Sequence, residues 1–175
     1  MLATEPQDPA AAPPQSGARS PGFWSGPGRP GAWLLVAFAT AGFGVAVYLT
    51  AVHYAHVPLA CSDTGLVNCA RVVTSQFSVV PGTNLPITVP GMGFFLVSFG
   101  LALAQLRRPY RFSLRQAHFA WACLGLLTVF YLVFVELVEL HNICLWCTSV
   151  HALIVLTLIT TAWRLQPLEE TVGRL

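Results

Sequence analysis

Four apolar runs, Ala32 to Tyr54, Ile87 to Leu106, Ala117 to Leu140 and Ile143 to Trp163, leave this chain few ways to fold. Each is long enough to cross a bilayer, because about 20 helical residues span the ~30 Å of hydrocarbon. Within that hydrocarbon every backbone N–H and C=O must be satisfied from inside the chain, and a helix satisfies its own. The runs are therefore predicted to be helices that pack as an all-α membrane protein, a four-transmembrane-helix bundle. Composition agrees: of 175 residues, 55% are hydrophobic and only 9% charged, and the mean hydropathy is +0.64. A soluble domain carries roughly a quarter charged residues, and here the charges concentrate in the gaps between runs.

Outside the bundle, residues 1–31 are crowded with Pro, Gly, Ala and Ser and offer no periodic apolar face, so they are expected to form a disordered tail. They do not read as a signal peptide, since the first apolar run begins too late, is too long and lacks a small-residue cleavage site. Residues 32–164 then form one transmembrane domain, and residues 165–175 a second short tail.

Arginine sets the expected orientation, because the chain contains no lysine. Arg107, Arg108, Arg111 and Arg115 crowd the connection between spans two and three, Arg19 and Arg29 precede span one, and Arg164 and Arg174 follow span four. The positive-inside rule places both termini and the middle loop in the cytoplasm. The loop after span one and the turn before span four then lie outside, where Arg71 is the single basic residue. Topology accounts for the net charge of +2 without a nucleic-acid partner.

Four of the five cysteines fall in those two outer segments, as Cys61 with Cys69 and Cys144 with Cys147. Cys144-Leu145-Trp146-Cys147 is a C-x-x-C, whose spacing puts both sulfurs on one face of a helical turn, able to close and reopen a disulfide. All four face the compartment where disulfides persist, an arrangement that suits a thiol relay at a membrane surface. Asn142 is positioned to cap the fourth helix, and the dipole end would then stabilise a thiolate in its first turns. Cys123, in the middle of span three, reads as a small apolar filler.

With C-x7-C in the first outer loop, Ser75 six residues beyond its second cysteine, and C-x-x-C at the start of span four, the chain resembles the vitamin K epoxide reductase family, especially its bacterial quinone-linked members. The segments Asn68 to Ser75 and Pro86 to Phe95 resemble the corresponding parts of that family, and the likeness covers residues 32–164. DsbB-type quinone reductases carry their C-x-x-C in the first outer loop and fit less well. The resemblance implies a bundle around a membrane quinone, menaquinone or ubiquinone, capped by the extracytoplasmic cysteine loop with a short helix near Val72 to Phe77. It assigns Cys147 to the quinone side, Cys144 to exchange with Cys69, and Cys61 to an outside thiol partner. It also implies a multi-pass protein of a bacterial cell membrane.

Electrons would then pass from a reduced DsbA-type, thioredoxin-fold partner to Cys61 and Cys69, on to Cys144 and Cys147, and finally to quinone, each thiol step being thiolate attack on a disulfide sulfur. The partner is expected to be a separate protein. Ser75 lies close to the quinone on this reading. His151, one helical turn from Cys147 on the same face, is placed to hydrogen-bond a quinone oxygen. Phe94, Phe95, Trp121, Phe130 and Tyr131 are candidates to wall an isoprenoid quinone, and Gly91, Gly93 and Gly100 to let span two pack closely. Glu136 and Glu139, three apart near the outer end of span three, are functional suspects as intramembrane acids. Their nearness to the span end favours contact with interfacial water, and His141 is similarly ambiguous. No metal is expected. Vertebrate family members have a tyrosine where His151 stands and a polar residue near Ile87, and this chain departs from that pattern at both, which counts against epoxide reduction; reduction of vitamin K or its epoxide is the alternative activity within the family. A non-enzymatic four-span protein with structural disulfides is the alternative of another class.

Overall fold

The computed structural model describes residues 29–55, 59–61, 65–80 and 82–172. The expected tail falls outside them, except that residues 29–31 already form the first turn of a helix. The helices are α1 (Arg29–Ala55), α2 (Cys69–Val73), α3 (Thr88–Arg107), α4 (Phe112–Phe134) and α5 (Leu145–Val172). A single 3₁₀ turn, Gln76–Ser78, follows α2, and α4 runs on into a π-helix, Val135–Glu139. Four of these helical stretches are long and apolar enough to cross a membrane. The chain is thus an all-α membrane bundle, with α5 continuing past the expected end of span four.

The bundle forms because each long helix buries only one stripe. On α1 that stripe is Leu35, Ala39, Gly42, Ala46 and Leu49, the three-and-four spacing of one helix face. It packs on α3 and α5, while α4 packs on α5 and α3. Leu96, Leu127 and Phe130 point outward, where lipid rather than protein would cover them.

Close approach depends on glycines other than those expected. A Cβ on Gly42 would stand 2.2 Å from the Phe95 ring, and one on Gly125 would stand 2.6 Å from the Phe94 ring. Gly91, Gly93 and Gly100 have open space where a Cβ would go, so they are not what brings span two close. They lie off the seam at which α3 meets its neighbours, and the small residues that matter sit opposite its phenylalanines, on α1 and α4.

At the end of the bundle bearing the arginine-rich connection, a buried polar cluster closes the core. Arg164 donates from Nη1 to Oε1 of Gln105. Gln105 Nε2 lies 3.0 Å from His118 Nδ1. Arg115, a residue of α4 rather than of the connection, donates to Arg164 O at 3.1 Å and to Pro109 O at 2.7 Å. Gln105, His118 and Arg164 are all buried, so this end is sealed by hydrogen-bonded side chains.

The opposite end is roofed by the cysteine loop. The short helix expected near Val72 to Phe77 is present as two pieces, α2 and the 3₁₀ turn, separated by Thr74 and Ser75. Val79 then bridges Pro86, and Ile87 N–H donates to Ser78 O at 2.8 Å as the chain enters α3.

Candidate functional site

Backbone pairing brings the two cysteine segments together. Val67 forms a parallel bridge with Ile143, in which Asn68 N–H donates to Ile143 O at 3.2 Å and Ile143 N–H to Leu66 O at 2.8 Å. Asn68 then caps α2, its Oδ1 accepting the N–H of Arg71 at 2.8 Å, a role that suits a short polar side chain. Cys69 therefore starts α2 just as Cys144 precedes α5. Both are fully buried and pack with Val72 in one cluster, against which Cys61, Trp146 and Cys147 also rest. Trp146 Nε1 donates to Ala60 O at 3.1 Å and holds the loop next to Cys61. Cys61 and Cys69 form a disulfide with Cα atoms 6.1 Å apart. Cys144 and Cys147 are free thiols.

The turn into α5 departs from expectation. Asn142 does not cap this helix: its Nδ2 donates to Leu140 O at 2.6 Å, and Ile143 is held in the bridge, so α5 cannot begin before Leu145. Cys144 takes the capping position instead, its Sγ accepting the N–H of Cys147 at 3.2 Å. The turn is made by His141, the one non-glycine with positive φ (50°) among the described residues. His141 itself is exposed.

The same contacts make the Cys144 thiol more acidic than an ordinary one. The Cys147 thiol donates to its sulfur and holds the Cys144 thiol below its ordinary value, and the N–H groups of Cys147 and Trp146 act in the same direction. Burial and the nearby Glu136 charge oppose them. A low-pKa thiol of this kind is both a competent nucleophile and a good leaving group.

Glu136 is the residue whose place was least legible in advance. It is buried, while Glu139 is exposed. Its carboxylate accepts the N–H of Cys144 and shares a hydrogen bond with the Cys147 thiol. Its own carbonyl accepts Asn142 N–H at 3.0 Å. On a regular α-helix, residues 136 and 139 share a face; the wider π turn separates them and directs the first inward. Such turns occur often at functional sites.

Beneath the loop, Cys147 opens onto two adjoining cavities of about 70 and 190 Å³. Cys147, His151, Leu49, Ile87, Thr88 and Leu132 line both. Ser75 and Glu136 line the upper one, with Ser75 Oγ donating to Val72 O at 2.8 Å. Phe94, Gly125 and Ile154 line the lower one. His151 is buried, and neither ring nitrogen has a hydrogen-bond partner among the described residues. A gap between α3 and α4 shares Phe94 and Gly125 with the lower cavity and reaches Trp121. The Trp121 ring stacks on Phe94 at 5.6 Å, and its Nε1 donates to Phe94 O at 3.1 Å.

The remaining aromatics lie elsewhere. Tyr131 is 46% exposed, Phe130 is also exposed, and Phe95 is buried against Gly42; none of the three lines these cavities. Cys123 is half-buried and lies outside the cluster that holds the paired cysteines.

An apolar space with few convergent polar groups suits a flat ring carrying two carbonyl oxygens. The family profile described as the vitamin K epoxide reductase family matches residues 33–162. No curated protein matches the chain.

Proposed function

Since the chain belongs to the vitamin K epoxide reductase family, and is thus a membrane oxidoreductase of the thiol–disulfide and quinone type, we propose that it oxidises a separate DsbA-type protein and hands the electrons to a membrane quinone. The observation that carries this reading is the position of Cys147, which packs against the Cys69–Cys144 cluster and also lines both cavities.

A bound quinone would supply the acceptor for two electrons and two protons. The chain supplies everything before that. A thiolate of the partner attacks the Cys61 sulfur of the Cys61–Cys69 disulfide and frees Cys69. Cys69 attacks Cys144 in the Cys144–Cys147 disulfide and frees the Cys147 thiolate beside the cavity. The partner's second thiol then displaces Cys61 and the partner leaves as its own disulfide; the freed Cys61 attacks Cys69 in the Cys69–Cys144 disulfide, regenerating the loop disulfide and leaving Cys144 and Cys147 as the reduced pair. His151 and Ser75 would hold polar edges of the ring, and Phe94 with Trp121 its apolar face.

His151→Ala is expected to raise the KM for quinone about 5- to 15-fold, the equivalent of one hydrogen bond of about 1–1.5 kcal/mol. Exchange between the cysteine pairs should continue at its normal rate. Steady-state assays across quinone concentrations, with a reduced DsbA-type protein as donor, test this, and an unchanged KM would remove His151 from the site.

The same reading puts both termini and the arginine-rich connection in the cytoplasm and the cysteine loop outside. Leu66 is 69% exposed and Tyr110 is 92% exposed, so both sites are open to reagents. In intact cells an impermeant maleimide should label Leu66→Cys and spare Tyr110→Cys until the membrane is opened. The opposite pattern would invert the topology.

A further inference from the structure

The Cys147 thiol has one proton and two acceptors. Its hydrogen-bond partners are the Cys144 sulfur and the Glu136 carboxylate, and a single S–H can serve only one fully at a time. Glu136 is held in place at the same moment, because it also accepts the N–H of Cys144 and its carbonyl accepts that of Asn142. It lines the cavity onto which Cys147 opens. An acid is costly to bury, and here a π turn and a left-handed His141 are spent on burying it next to two sulfurs.

We propose that Glu136 is the proton carrier of the thiol pair, taking protons from the cysteines and delivering them to the electron acceptor in the cavity. The inference rests on the quinone reading above. Two thiols becoming one disulfide release two electrons and two protons, and conversion of quinone to hydroquinone consumes both. The Glu136 carboxylate takes the S–H proton of Cys147 and leaves a thiolate facing the cavity. Glu136 gives this proton to one quinone oxygen and is a carboxylate again. Adjacent to both sulfurs, it then takes the Cys144 proton as the Cys144 sulfur bonds the Cys147 sulfur and the electron pair passes to the quinone, delivers that second proton to the other quinone oxygen, and ends ionised. The other titratable groups lining this space are His53 from α1 and, from α5, Cys147 and His151; the roof and α3 present only the uncharged polar groups Ser75, Ser78 and Thr88.

Two measurements on the full-length protein in lipid nanodiscs decide the matter. In the first, the prereduced protein is mixed with a short-chain quinone across a pH series. Glu136→Gln is expected to slow quinone reduction by about 100-fold, the usual lower scale of general acid–base catalysis, and to lose one inflection of the pH profile. Glu136→Asp should recover part of the rate. In the second, with no quinone present and Cys144 replaced by Ser, maleimide modification of Cys147 is followed by peptide mass spectrometry against pH. A pair sharing one proton titrates in two steps, so the profile should show two inflections with Glu136 and lose the lower one in Glu136→Gln. An intact Cys61–Cys69 disulfide and normal Cys69–Cys144 exchange would show that Glu136→Gln is folded; loss of both would move the decision to Glu136→Ala, whose wild-type-like rate and profile would overturn the proposal. Wild-type behaviour of Glu136→Gln in both measurements would also overturn it. Failure of the wild-type protein to reduce quinone at all would overturn the functional reading and the carrier role with it, even with two inflections in the modification profile.

Discussion

Cys147→Ser is expected to stall the protein with Cys69 bonded to Cys144 and to lower quinone reduction by on the order of 10³-fold or more, the scale seen when an obligatory nucleophile is removed. Serine keeps a hydroxyl donor beside Cys144 but cannot reclaim it from a mixed disulfide. The geometry favours the trapped species. Disulfides need Cα atoms within about 7 Å, and Cys69 and Cys144 are already buried in one cluster, with the bridge between Val67 and Ile143 holding their backbones in register. Non-reducing digestion and mass spectrometry should find the Cys69 peptide joined to the Cys144 peptide. A Cys61–Cys144 link would exchange the roles of the two loop cysteines. Permanent Cys61–Cys69 pairing, with no cross-link to Cys144, would favour structural disulfides over a relay.

Gly125→Leu should block the cavity while sparing the relay. Even a Cβ there meets Phe94 at 2.6 Å and Ile154 at 3.1 Å, and the longer side chain would extend into the space lined by both. Overpacking of this kind costs about 1–3 kcal/mol. If that cost falls on quinone binding, affinity drops about 5- to 150-fold, with Cys69–Cys144 exchange unchanged. Gly44→Leu is the matched control, because a Cβ at Gly44 meets nothing within 4 Å. Equal quinone affinity in the two variants would mean that the ring does not use the lower cavity.

Hydropathy made the four spans legible because the bilayer requirement acts on every residue of a run, whatever the neighbouring helices do. The closeness of the two cysteine pairs was legible too, through motif order. What escaped depended on register and on partners. Asn142 reads as a cap only if the helix starts immediately after it, and the bridge at Ile143 postpones that start to Leu145. Glu136 and Glu139 look equivalent at α-helical spacing, and only the π turn, which periodicity does not encode, separates them. Gly42 and Gly125 look no different in sequence from Gly91, Gly93 and Gly100; the distinction lies in which phenylalanine faces each across the bundle. Tyr131 and Trp121 are similarly alike as apolar aromatics, and helix rotation alone sends one outward and the other to Phe94.

The buried cluster of Gln105, His118, Arg115 and Arg164 has a bioenergetic consequence. Fixed guanidinium charge at a constriction is a barrier to protons and cations, so the floor of the bundle insulates the cavity from the arginine-rich side. On the proposed topology, protons given up by the partner's thiols and protons taken up in the cavity then belong to the same outer face. No charge crosses the dielectric, so turnover is electroneutral: it neither charges the membrane nor draws on its voltage, and its rate should be indifferent to an imposed potential.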